Sequence, residues 1–124
     1  MQVLPEGERQ RMGTALALDG DLDGSGVTDL VIGVPLDPGR PGPGRVHLFF
    51  DARDGVYSTA ESDGVLFGTP GDIAGWSLAS GKDLDHDGLD DLVVGAPMDG
   101  TEVPVGGKAY VWSGASLIEL LAGG

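Results

Sequence analysis

"DLDHDGLDDLVVGAP", residues 83–97, sets four aspartates, Asp83, Asp85, Asp87 and Asp91, against an apolar segment that ends in Gly-Ala-Pro. Carboxylates this close repel one another unless protons or a cation neutralise them. The apolar run beside them reads as buried strand, so the acids are not free to spread into solvent. The same arrangement occurs earlier as "DLDGSGVTDLVIGVP", residues 21–35, shifted by 62 positions. "GTALAL" at 13–18 lies over "GWSLAS" at 75–80 in the same register, and "GRVHLF" at 44–49 over "GKAYVW" at 107–112 after one inserted residue. Two matched blocks in one register and a third one residue further on make an internal repeat. The 124 residues divide into a first unit at 1–63 and a second at 64–124.

Each unit reads as strands. "DLVIGVP" and "DLVVGAP" are continuous apolar runs, β-branched, too short for a helix and stopped by proline. A run without alternation belongs to a strand covered on both faces. "RVHLFF" and "KAYVWS" follow Gly44 and Gly107, and "GVLFG" at 64–68 is a further strand placed ahead of the second unit's "GWSLAS". The 23 glycines and 8 prolines agree with many turns. The expected class is all-β, with about four short strands per unit. Sheets that need cover on both faces and repeat along the chain suggest propeller blades. A two-sheet sandwich would show cleaner inside–outside alternation.

Oxygen groups at alternate positions of a tight loop point toward one centre. In the second unit these are Asp83, Asp85, Asp87, the backbone carbonyl of Leu89, and Asp91, with Gly88 at the turn. In the first they are Asp21, Asp23, Ser25, the carbonyl of Val27, and Asp29, with Gly26 at the turn. Hard oxygen donors without His or Cys suit Ca²⁺, one ion per loop, better than Mg²⁺. Ser25 supplies a neutral hydroxyl where the second loop has a carboxylate, so the first site is expected to be the weaker. The loops are not EF-hands: the twelfth positions are Ile32 and Val94, which lie in strand-like runs and cannot supply the closing carboxylate.

With those residues in place, the chain resembles FG-GAP repeats, the blades of the integrin α-subunit N-terminal propeller and of its bacterial relatives. The resemblance rests on Gly13 and Gly75, the two Asp-x-Asp-x-Asp/Ser-Gly-x-x-Asp loops, the "GVP" and "GAP" endings and the strands after Gly44 and Gly107. It covers nearly the whole chain. Met12 and Ala74 stand where the signature has Phe, which weakens a local apolar plug without touching the loop ligands. The resemblance implies a calcium ion of structural role in each loop, and a non-catalytic module for adhesion or protein recognition. It also implies a ring of seven blades, of which this chain supplies two.

A two-blade piece is expected to leave one apolar face bare at each end. The chain is therefore expected either to belong to a longer propeller or to associate with itself, as a closed ring or as a filament. "QVLP" at 2–5 aligns with "GVLF" at 64–67 and could form an outer strand on a neighbouring copy. The tail "SLIELLAGG" reads as an outer strand or a short helix. Loops of differing composition at 36–44, 51–63 and 98–107 are the candidate contact segments for an unidentified protein partner.

Other functions find less support. With 20 acidic against 7 basic residues the net charge is −13, which argues against nucleic acid and anionic membrane surfaces as partners. No apolar run approaches the ~20 residues of a membrane-spanning helix. The N-terminus lacks the layout of a secretory signal, so a chain exported by that route would have to be part of something longer. Filled calcium sites nonetheless favour the cell exterior or surface. The absence of cysteine leaves the redox compartment open. His47 reads as a packing or surface residue, His86 as solvated, and Ser77, Ser80 and Ser113 show no His–Asp partners in the pattern. Trp76 and Trp112 read as packing between blades rather than as a sugar platform. A propeller acting on polysaccharide or lipid, or serving one that does, is the enzymatic alternative.

Overall fold

The structure is a computed structural model, described for residues 2–4, 12–18, 20–37, 40–51, 54–68, 73–96 and 108–122. Among the described residues the chain runs through nine strands, a short 3-10 helix (Thr59–Glu61) and one α-helix: β1 (Gln2–Leu4), β2 (Leu16–Ala17), β3 (Leu30–Asp37), β4 (Arg40–Phe49), β5 (Val56–Ser58), β6 (Gly64–Phe67), β7 (Ser77–Lys82), β8 (Asp91–Ala96), β9 (Lys108–Trp112) and α1 (Gly114–Ala122). Two antiparallel sheets, ordered β2-β3-β4-β6 and β7-β8-β9, carry the two units. The class is all-β, and the strands follow the apolar runs of the sequence.

Three features differ from the sequence expectation. The strand Gly64–Phe67 was assigned to the second unit, but it pairs antiparallel with β4 from Arg45↔Phe67 to Leu48↔Gly64. It completes the first sheet, so the boundary at 63/64 cuts across the strand order. The second sheet has three strands among the described residues, and the chain then enters α1 rather than a fourth strand. Ser113 starts that helix: its hydroxyl oxygen accepts the Ser116 amide at 3.0 Å, the geometry of an N-cap. Leu117, fully buried, anchors the helix in the core. Third, Gln2–Leu4 does not lie unpaired for a neighbour. It runs parallel to β5 of its own chain, Gln2↔Val56 through Leu4↔Ser58.

The main core lies between the two sheets. Ala17, Val31, Val46, Leu48 and Leu66 of the first meet Leu92, Val94 and Ala96 of the second, with Leu78, Tyr110 and Trp112 packed at its margin. Backbone approaches backbone at this joint. A Cβ on Gly33 would collide with the carbonyl oxygen of Gly75, so a larger residue would force the sheets apart. The other side of the first sheet is not bare, as a two-blade piece was expected to leave it. Ile32, Val34 and Phe49 are sealed there by Val3, Met12 and Tyr57. The Phe49 and Tyr57 rings meet at a tilt, 6.3 Å between centroids.

Two aromatic and imidazole side chains complete the comparison. Trp76 is 43% exposed and does not fill the joint, contrary to expectation; Trp112 does pack against it. His47 is buried in β4, its Nδ1 3.0 Å from the Ser62 hydroxyl. No helix among the described residues is long and apolar enough to cross a membrane.

Candidate metal centres

Both acidic loops close in the same way, and the closing bonds are their own carboxylates. Asp21 accepts the Ser25 amide on Oδ1 at 3.0 Å and the Gly26 amide on Oδ2 at 2.8 Å. Asp83 accepts Asp87 and Gly88 on the corresponding oxygens at 3.1 and 2.8 Å. The turn after the third ligand position runs through positive φ, 87° at Gly26 and 91° at Gly88, which only glycine adopts without strain. The last acid of each loop is the buried one. Asp29 Oδ2 accepts the Leu22 amide at 2.7 Å, and Asp91 Oδ2 accepts Leu84 at 2.6 Å. Buried amides need such partners, which is why the acids remain at the start of a buried strand.

Each buried acid makes a second bond that sequence reasoning missed. Asp29 Oδ1 accepts the amide of Asp51, and Asp91 Oδ1 accepts the amide of Gly114, both at 2.8 Å. Asp51 and Gly114 hold equivalent places, two residues beyond the matched strands "GRVHLF" and "GKAYVW". Each loop is thus clamped to the exit of its own sheet's third strand. The signal lay in the repeat register, once the single inserted residue is allowed for. The loops also touch each other: the Asp21 amide donates to Asp90 Oδ2 at 2.9 Å, and the Asp90 amide to the Asp21 carbonyl at 3.3 Å.

The result is two cups of carboxylate oxygens. Asp83, Asp85, Asp87 and Asp91 form one and Asp21, Asp23 and Asp29 the other, with one oxygen of each residue within 4.8 Å of the rest of its group. Two oxygens each ~2.4 Å from one Ca²⁺ lie at most ~4.8 Å apart, so the donor sets fit that ion. The buried Asp29 and Asp91 form the floors, and the more exposed acids form the rims. Ser25 is turned partly aside. Its hydroxyl donates to Asp51 and accepts the Val27 amide at 3.3 Å. Leu89 sits in the equivalent turn, its amide donating to Asp87 Oδ1 at 2.9 Å. His86 is exposed, as expected, and takes a positive φ of 61°.

The electrostatics of the ion-free cups are opposed. Burial pushes the Asp29 carboxyl above its ordinary value, and the amides of Asp51 and Leu22 only partly offset it. Asp85 is also raised, by desolvation first and then by the charges of Asp87 and Asp91. Asp83 is lowered, chiefly by the Gly88 amide. For the two raised groups, stability is full below the unfolded value of 3.8 and is lost as pH rises through the folded values. For Asp83 it is present above 3.8 and lost as pH falls through its folded value. The urea midpoint in chelator should therefore rise as pH falls toward 3.8 through the raised folded values of Asp29 and Asp85, and fall below 3.8 as Asp83 is protonated. With calcium present the trend should reverse, since protons compete with the ion for its ligands. A chelated chain that weakens steadily as pH falls from neutrality to 3.8 would contradict the assignment.

Comparison with known proteins agrees with this geometry. The model of the FG-GAP repeat matches residues 12–49 and 74–112, the segments that build the first three strands and the cup of each sheet. Integrin alpha-7 of Homo sapiens is 34% identical over 119 residues, 94% of this chain and 10% of that protein. Integrin alpha-M of Mus musculus is 39% identical over 89 residues, 69% of this chain and 8% of that protein. Integrin alpha pat-2 of Caenorhabditis elegans is 35% identical over 101 residues, 77% and 8% respectively. The chain thus spans about a tenth of the length of the curated relatives it matches. Repeat, sheet order and family match converge: the chain belongs to the FG-GAP repeat family, as a pair of integrin-like β-propeller blades.

Proposed function

We propose that this chain is a calcium-binding, integrin-like propeller module that acts in adhesion or protein recognition, without catalysis, outside the cell or at its surface. One observation carries the reading: two oxygen-only cups, built alike and hydrogen-bonded to each other, at the loops that clamp each sheet to its own exit strand. Bound calcium would supply charge neutralisation rather than chemistry. Asp21, Asp23 and Asp29 would hold one ion, with Ser25 and the Val27 carbonyl completing the shell. Asp83, Asp85, Asp87 and Asp91 would hold the other, with the Leu89 carbonyl.

Three of the groups that could suggest an enzyme have structural contacts that support this reading. Ser113 caps α1, His47 bonds Ser62, and the aspartates serve the loops. Recognition falls to the variable segments between matched blocks. Of these, 36–44 and 51–63 are described only in part, and 98–107 lies outside the described residues.

Titration calorimetry on ion-free chain tests the proposal. Two calcium sites are expected, the one at Asp83–Asp91 the tighter because it has four carboxylates against three. Asp85→Ala should remove the tight site alone and Asp23→Ala the weak one. Heat equal to buffer dilution up to millimolar calcium would remove the reading. Equal sites, or a tighter first site, would remove the ranking.

A further inference from the structure

The two sheets meet by unlike sides. The first offers the side bearing Ala17, Val31, Gly33 and Leu48, topped by Leu22 of its loop; the second answers with the side bearing Leu78, Leu92, Val94, Tyr110 and Trp112. The repeat register places a copy of the offered side on the second sheet, as Ala79, Val93, Gly95 and Val111, with Leu84 in the place of Leu22. That copy is open. Leu84 is 55% exposed and Val111 62%, whereas Leu22 and Leu48 are at 0%. Leu84, Ala79 and Val93 line a hollow of about 90 Å³ on this side.

The first unit carries the answering half, also open at one end. Leu16 is the counterpart of Leu78, and Val27 that of Leu89, whose side chain would meet any Cβ placed on Gly24 of the neighbouring loop. Leu16 is 61% exposed and Val27 46%. Beyond them, Ile32 and Phe49 match Val94 and Trp112 but are sealed by Val3, Met12 and Tyr57. The molecule therefore contains one completed joint and both unmade halves of the same joint, at opposite ends.

We propose that the open side of the second sheet, around Ala79, Leu84 and Val111, docks the Leu16–Val27 side of a second copy of this chain, repeating the internal joint head to tail. The internal joint is the precedent: apolar residues at most of the same positions already pack against each other, with His47 in the place of Tyr110, Phe49 in that of Trp112 and Val111 in that of Leu48. The incoming copy meets the bare end first, and β1, held by three residues and a Gln2–Gly55 bond of 2.7 Å, is displaced as the contact extends. A contact of this kind joins unlike surfaces, so it propagates into a ring or a filament.

Sedimentation velocity of the full chain over a concentration series in calcium tests this. Wild-type chain should exceed its 12.6 kDa mass increasingly with concentration. Val111→Asp and Leu16→Asp, both at exposed positions, should each stay monomeric, because each lacks one half of the joint. Their equimolar mixture should form dimers and nothing larger, since one intact pair of halves remains. A wild-type chain that is monomeric throughout overturns the proposal and leaves the open side to some other occupant. Self-association of Leu16→Asp alone, or a mixture that stays monomeric, overturns the head-to-tail arrangement.

Discussion

Removing calcium should lower the melting temperature of this chain by on the order of 15 °C, the largest effect expected of any change of conditions. A ligand that binds only the folded state stabilises by ~2.7 kcal/mol at a hundredfold excess over Kd, and two such sites give ~5 kcal/mol. For a domain of this size each kcal/mol moves the midpoint by roughly 3–5 °C. The structural reason is local. Seven aspartates converge in two cups that hydrogen-bond to each other, in a chain of net charge −13. Without an ion, their repulsion acts on the loops that hold β3 and β8 in place. Melting followed by circular dichroism in calcium and in chelator measures this. A difference below ~3 °C would mean the cups bind too weakly to matter to the fold.

The second large effect separates two aspartates of one cup. Asp91→Ala should cost ~1–3 kcal/mol even in chelator, because it strands the buried amide of Gly114, and the part-buried amide of Leu84 also loses its partner. Asp91 is only 3% exposed, so water cannot replace it. Asp85→Ala removes an exposed acid whose carboxyl is held above its ordinary value by desolvation and by Asp87 and Asp91. In chelator it should change stability by no more than ~0.5 kcal/mol, as surface substitutions do. In calcium both variants should lose the ion of the second cup. Urea unfolding of the two variants, with and without calcium, gives the four numbers needed. Equal damage from both in chelator would show that Asp91 has no bracing role beyond its charge.

Much of this is legible in the sequence. A shift of 62 residues located both loops and both buried strands, and one inserted residue more located the exit strands, because a repeat displays its constraints twice. The alternate spacing of Asp83, Asp85 and Asp87 identified an oxygen cup, since a tight turn aims alternate side chains inward. The clamps from Asp29 to Asp51 and from Asp91 to Gly114 were not seen, because a backbone amide has no residue identity to recognise. Assigning Gly64–Phe67 to the second unit failed for a related reason. Its resemblance to "QVLP" was measured along the chain, whereas strand pairing with β4 is settled by proximity in space.

The sequence by itself determined which residues form strands, where the acids gather and that the pattern occurs twice, because burial, turn chemistry and ligand spacing are local properties. Tertiary structure alone decided how the halves face each other. Leu22 is buried and Leu84 exposed, although the two occupy the same place in the repeat. The difference lies in what stands beyond each: the first loop has the second sheet against it, and the second loop has an open side. Burial of an apolar side chain is a property of the pair of surfaces that exclude water, and one chain position specifies only one of them.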